Sequence, residues 1–302
     1  MTQARPPLAG VLVPVTTPFD RVTGNPAPIP LRENARACLA AGAAGVVAAG
    51  STGEASLLDE TEFRQIVEWL RDVVPPERAF VVGTGRESTR GVVEACRVAG
   101  EHGADAVLVR APAYYGSSLS PQALTEHFRR VADASPVPVL LYNIPKYTHL
   151  ALADHLLAAL ADHENVAGAK DSSGDLKNFA AYAAAAPRWA HFMGSGVHLY
   201  AALELGAVGG ILAVANPATA LACSVWEAWT AGDRPAAGAA QERLAPINKL
   251  VVGELGVPGV KAALDAVGRA GGPVRPPLVD LGPTDRERIA AALRTGGVPV
   301  AD

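Results

Sequence analysis

An eightfold alternation of short apolar runs with longer amphipathic stretches constrains this chain more than any other feature. The apolar runs fall at residues 10–15, 45–49, 79–82, 106–109, 137–142, 166–170, 191–193 and 209–214. Each is followed by a stretch of helical periodicity, at 31–41, 59–73, 88–102, 121–132, 152–160, 176–185, 197–205 and 217–231. Runs that stay apolar without alternating indicate strands buried on both faces, as in a parallel sheet covered by helices. Eight such units predict an α/β chain folded as a (β/α)8 TIM barrel, which usually takes about 200 to 400 residues. Beyond residue 231 the pattern changes to helices alone, at 236–252, 260–270 and 284–293, parted by turns such as Gly256-Val257-Pro258-Gly259 and Gly271-Gly272-Pro273. The expected organisation is a catalytic barrel over residues 1–231 and a C-terminal helical extension over 232–302 packed on it.

Composition narrows the function. With 49% hydrophobic residues in 302, the chain can bury a large core. A net charge of -4 with scattered arginines leaves no basic stripe for nucleic acid or an anionic membrane, which favours a small-molecule role. Residues 1–7 carry no cationic segment leading into an apolar one, and no apolar run is long enough to span a bilayer. A cytoplasmic protein is expected. Cys38, Cys96 and Cys223 lie on alanine-rich helical patterns without metal-ligand or CxxC spacing and read as reduced core thiols.

A barrel carries its chemistry at the C-terminal ends of its strands. Those ends bear Gly50-Ser51-Thr52-Gly53-Glu54, Tyr114-Tyr115, Tyr142-Asn143 and Lys170. Lysine occurs at only five positions, and Lys170 alone closes a run of small apolar residues. Burial disfavours a charged amine, and a neutral amine attacks carbonyl carbon; the alternative is a strand-end lysine reaching out to solvent. The N–H groups and hydroxyls of the Ser51-Thr52 turn could grip a carboxylate, or the turn could be a plain strand-to-helix connection. Tyr142 could present its phenol at the barrel mouth or be a core tyrosine. Gly194-Ser195-Gly196 either makes room for a substrate or forms a tight turn.

Other chemistries find less support. His102, His127, His155 and His163 lie on or beside helical stretches with no ligand spacing, so no metal site is expected. The glycines at 206–210 precede the eighth strand, whereas a barrel phosphate site would follow it. A non-catalytic binding barrel stays open, although lysine, tyrosine and Ser-Thr together argue against it.

The set Gly-Ser-Thr-Gly-Glu at 50–54, Tyr-Asn-Ile-Pro at 142–145, Ala-Lys-Asp at 169–171 and Ala-Asn-Pro at 215–217 resembles the dihydrodipicolinate synthase and N-acetylneuraminate lyase family, in order and across nearly the whole chain. Pro112-Ala113-Tyr114-Tyr115, the segment 170–175 and Gly256-Val257-Pro258-Gly259-Val260-Lys261 followed by 271–273 resemble the 4-hydroxy-2-oxoglutarate aldolase branch. The resemblance implies a class I lyase without a cofactor, in which Lys170 forms an imine with pyruvate or another 2-oxo acid. By the same resemblance Tyr142 shuttles protons, assisted by Ser51 and by Tyr114. The second tyrosine often comes from an adjacent subunit, which implies a homodimer or homotetramer. Thr52 and the Ser51 backbone match the clamp on the pyruvyl carboxylate, Gly194 and Ile211 match pocket-lining positions, and Ser172 joins the substrate-binding set. The implied reaction is reversible aldol cleavage of a 4-hydroxy-2-oxo acid such as 4-hydroxy-2-oxoglutarate to pyruvate and an aldehyde; the alternative is 4-hydroxy-tetrahydrodipicolinate synthesis from pyruvate and aspartate semialdehyde.

Two departures bear on that choice. Synthases usually carry arginine, to hold the semialdehyde carboxylate, where this chain has Tyr147. Arg110 stands where a small polar residue is more common; it either supplies the missing cation or pairs with a carboxylate such as Asp105 or Glu87. The loop 83–87 also lacks the asparagine of lysine-inhibited synthases, so lysine inhibition is not expected.

Overall fold

The computed structural model describes residue 6 and residues 8–301; the leader-free reading of residues 1–7 falls, apart from Pro6, outside them. Eight strands, β1 (Gly10–Pro14), β2 (Gly45–Ala48), β3 (Ala79–Gly83), β4 (Ala106–Arg110), β5 (Val139–Asn143), β6 (Val166–Asp171), β7 (Ala190–Met193) and β8 (Gly209–Ile211), pair in parallel in chain order. β8 returns to pair with β1 and closes a barrel.

Alternate residues of each strand face opposite ways, and both faces are dry. Leu12, Val47, Val81, Leu108, Leu140, Phe192 and Ile211 fill the barrel interior. Their neighbours Val11, Val13, Val46, Phe80, Val82, Val107, Val109 and Leu141 pack outward under the helices. That double burial is why the strands read as unbroken apolar runs.

The covering helices are α1 (Pro28–Ala40), α2 (Glu60–Arg71), α3 (Thr89–Glu101), α4 (Pro121–Ala134), α5 (Pro145–Thr148), α6 (Asp154–Ala158), α7 (Leu176–Ala185), α8 (Leu199–Glu204) and α9 (Thr219–Thr230). α2 starts with a reciprocal cap: Asp59 accepts from the Glu62 N–H at 2.8 Å and Glu62 accepts from the Asp59 N–H at 3.0 Å. Its buried face carries Phe63, Ile66, Val67 and Leu70. Beyond α9 come α10 (Arg234–Asn248), a π-helix (Lys249–Glu254), α11 (Gly256–Ala266) and α12 (Pro283–Thr295); α10 packs on α9 and α11 on α12.

The observed elements depart from expectation in three places. The helix expected at 152–160 is shorter, α6 over Asp154–Ala158, and a one-turn helix that was not expected, α5, precedes it. Pro145 opens α5, and His149 ends it in the left-handed region at φ 51°. Gly256-Val257-Pro258-Gly259, expected as a turn, is the first turn of α11. A proline is tolerated there because early N–H groups have no intrahelical acceptor, and a Cβ on Gly259 would stand 2.3 Å from the Val251 carbonyl oxygen of the π-helix. β8 stops at Ile211 and continues as a 3₁₀ turn over Ala213–Ala215.

Cys38, Cys96 and Cys223 are free and buried. Among the described residues no helix is long and apolar enough to cross a membrane.

Candidate active site

β5 and β6 run in register at their C-terminal ends, with Tyr142 opposite Lys170 and Asn143 opposite Asp171. The alternation sends the first pair inward and the second outward. β6 can lie this close to β7 because Gly168 has no side chain: a Cβ there would meet the Ala190 carbonyl oxygen at 2.1 Å. Lys170 is 5% exposed, so it is enclosed rather than reaching to solvent. Its Nζ stands 4.2 Å from the centre of the Tyr142 ring. No ion pair engages it among the described residues.

The outward pair locks the same strand ends. Asp171 accepts from Asn143 Nδ2 at 2.8 Å, from the Ser173 N–H at 2.9 Å, from Ser173 Oγ at 2.8 Å and from Asn178 Nδ2 at 3.1 Å. Asn143 in turn accepts from the Leu152 N–H at 3.0 Å. A buried carboxylate held by four donors is a rigid point, and it sits one residue from Lys170.

Ser51 and Thr52 lie on the 3₁₀ turn Ser51–Gly53 that follows β2. Thr17 Oγ1 donates to the Gly53 carbonyl at 2.8 Å. Glu54 closes the turn in the left-handed region at φ 59°. Its buried carboxylate pairs with the Lys261 ammonium and accepts from the Arg275 N–H at 2.8 Å. Gly194 follows β7 and donates its N–H to the Asp171 carbonyl at 2.7 Å. A Cβ on Gly194 would come within 1.9 Å of Ser172 Oγ, so the glycine keeps the space that Ser172 occupies.

Ser51, Thr52, Tyr142, Lys170, Ser172, Gly194 and Ile211 all line one cavity of about 170 Å³ at the barrel mouth. A wider cavity of about 600 Å³ adjoins it, sharing Ser51, Tyr142, Tyr147, Gly256 and Val257. Arg110 lines only the wider one. Of its two readings, the ion pair is the one present: Nη2 donates to Glu87 at 2.8 Å and Nη1 to the Ala111 carbonyl at 2.8 Å. Burial pushes the Glu87 carboxyl up, but the Tyr114 N–H, Arg110 and the Ala113 N–H together hold it below its ordinary value. Tyr114 lines neither cavity. It is 81% exposed and packs edge-on against Tyr115, with ring centres 4.9 Å apart.

Several lining residues were not among the expected site residues. Lys146 and Tyr147 come from α5, Asn248 from the end of α10, Val252 and Gly253 from the π-helix and Val257 and Val260 from α11. Asn248 accepts from the Gly196 N–H at 3.1 Å, tying the extension to the loop after β7. Partial burial, with Tyr142 nearby, pushes the Tyr147 phenol up. Among the described residues no group of three or more His, Cys, Asp or Glu side chains could hold a metal ion.

A closed parallel barrel with an enclosed lysine beside a tyrosine at its mouth holds the side chains that imine-forming chemistry requires. The chain belongs to the dihydrodipicolinate synthetase family, whose model matches residues 7–295. It is 37% identical to an uncharacterised DapA-like lyase of Halobacterium salinarum over 96% of this chain and 95% of that one. It is 34% identical to a 4-hydroxy-tetrahydrodipicolinate synthase of Methanopyrus kandleri over 96% of this chain and 97% of that one. Among solved structures it resembles the dihydrodipicolinate synthase of Acinetobacter baumannii complexed with pyruvate, with TM-score 0.92, 29% identity and coverage of 97% and 100%. It also resembles YagE of E. coli K12, likewise in complex with pyruvate, with TM-score 0.91, 27% identity and coverage of 97% and 99%.

Proposed function

We propose that the protein is a cytoplasmic, lysine-imine lyase acting on pyruvyl substrates, and that its reaction is the reversible aldol cleavage of a 4-hydroxy-2-oxo acid such as 4-hydroxy-2-oxoglutarate. The observation that carries the reading is the juxtaposition of Lys170 and Tyr142, 4.2 Å apart from ammonium nitrogen to ring centre, in one cavity with Ser51 and Thr52. Pyruvate bound to two solved relatives supports the choice of substrate class.

The Lys170 amine adds to the 2-oxo carbon, and loss of water leaves a protonated imine. Tyr142, relayed by Ser51 and by Tyr114 of a second subunit, takes the proton of the 4-hydroxyl. The C3–C4 bond then breaks, its electron pair moving into the iminium to form an enamine while C4 departs as the aldehyde. Protonation at C3 and hydrolysis return pyruvate and the free lysine. Thr52 and the Ser51 N–H hold the pyruvyl carboxylate, Gly194 and Ile211 bound the reacting carbons, and Ser172 contacts the substrate beside Gly194. Arg110, tied to Glu87, shapes the wider cavity. Exposure of Tyr114 supports a homodimer or homotetramer, and the lining contributed by residues 248–260 supports a C-terminal extension that completes a catalytic barrel.

The second reading, 4-hydroxy-tetrahydrodipicolinate synthesis, is favoured by the names of several relatives, the Methanopyrus protein among them. The two part at Tyr147, because a phenol is a poor replacement for a bidentate guanidinium. Pyruvate release from 4-hydroxy-2-oxoglutarate, measured beside condensation of pyruvate with aspartate semialdehyde, decides between them. Efficient condensation without cleavage would overturn the aldolase reading and leave the imine chemistry standing.

A further inference from the structure

We infer that Lys146 is the specificity-determining cation of the site: it meets the distal carboxylate of a dicarboxylic 2-oxo substrate. The inference rests on the proposed imine at Lys170 and adds the group that reads the far end of the molecule.

The cavity that holds Lys170 is lined by two lysines, Lys170 and Lys146, and by no carboxylate. Its charge is therefore suited to anions. Once Lys170 is an iminium, its positive charge is balanced by the pyruvyl carboxylate beside it. Lys146 is left for a second anion. Its ammonium is oriented without being neutralised, since Nζ donates to the Gly253 carbonyl at 3.1 Å and lies 5.8 Å from the centre of the Tyr147 ring. A carbonyl takes one of three ammonium donors, so two remain. No ion pair engages Lys146 among the described residues.

Arg110, the other cation near the mouth, is placed differently. It is in the wider cavity, with Glu87 at 2.8 Å, and Glu87 also holds the N–H groups of Ala113 and Tyr114 at 2.9 Å each. Drawing Arg110 onto a substrate would break that ion pair beside the loop it organises. Drawing Lys146 in breaks only one hydrogen bond to a carbonyl. In the 3.6-residue helical turn Lys146 stands next to Tyr147, and both reach the cavity wall.

The test needs no turnover. Borohydride reduction of the Lys170 imine is followed by peptide mass with 2-oxoglutarate and with 2-oxobutanoate, which differs in lacking the distal carboxylate. Wild type is expected to half-saturate at roughly tenfold lower 2-oxoglutarate than 2-oxobutanoate, the lower end of what a hydrogen bond to a charged group contributes. Lys146→Met should erase that preference while leaving trapping with pyruvate within about twofold, and Lys146→Arg should restore most of it. If the preference survives Lys146→Met, or is abolished by Arg110→Ala instead, the inference is wrong. Equal half-saturation by the two acids in wild type also overturns it. An absence of any trapping at Lys170 with pyruvate would instead remove the imine reading on which it rests.

Discussion

The turn that carries Ser51 and Thr52 is held from outside the barrel, and Lys261→Met tests how firmly. Glu54 has no exposed side-chain surface and Lys261 is 2% exposed. Besides Glu54, the ammonium donates to the Pro273 carbonyl at 2.7 Å and lies 4.4 Å from the centre of the Phe19 ring. Burial pushes the Lys261 ammonium down, against the upward pull of Glu54. Replacing Lys261 by the similarly shaped Met leaves a buried carboxylate with the Arg275 N–H as its remaining donor. Removing one member of a buried pair costs about 3–5 kcal/mol, and a denaturant titration reads that as a lower midpoint at unchanged slope. Glu54→Gln combined with Lys261→Met removes both charges, and the double variant should be more stable than Lys261→Met alone. Because Glu54 closes the Ser51–Gly53 turn, the single variant should also raise the KM for pyruvyl substrates more than it lowers kcat. A loss under about 1 kcal/mol, or a double variant showing the sum of the two single losses, would refute the reasoning.

Two further outcomes are expected. Tyr142→Phe keeps the ring over Lys170 but deletes the phenolic proton, so turnover should fall about 10²- to 10⁴-fold with folding intact; a rate near wild type would return Tyr142 to a core role. The His127 imidazole is pushed by burial from 6.5 down to about 4. Above pH 6.5 it is neutral whether folded or not, and between 6.5 and about 4 only the unfolded chain takes the proton. Stability should therefore fall by about 1.4 kcal/mol per pH unit across that window, roughly 3 kcal/mol in all, and urea titrations of His127→Leu should lack this component. Parallel pH curves for the two proteins would contradict it.

Much of the barrel is legible in the sequence because each strand is buried on both faces, so that β2 and β5 appear as runs and not as alternations. Lys170 stands out for the same reason, as a charge ending a run. What is not legible depends on partners distant in the chain. Spacing could not say whether Arg110 would meet Glu87 or a substrate, since that depends on how the β3 and β4 loops converge. Asp171 looks like an ordinary loop residue until β5 brings Asn143 opposite it. Gly256 to Gly259 carry turn composition, yet Gly259 serves close packing on the π-helix, a tertiary demand that local propensity does not contain. Lys146 was hidden by being an exposed lysine on a four-residue helix, a residue type that is usually just solvated.

The central claim is that Lys170 is the nucleophile, and imine trapping tests it most directly. Borohydride added with pyruvate is expected to leave a reduced adduct on Lys170 alone, found by peptide mass mapping, and Lys170→Ala should lose both the adduct and turnover. An adduct on another lysine, or turnover that survives Lys170→Ala, would contradict the account.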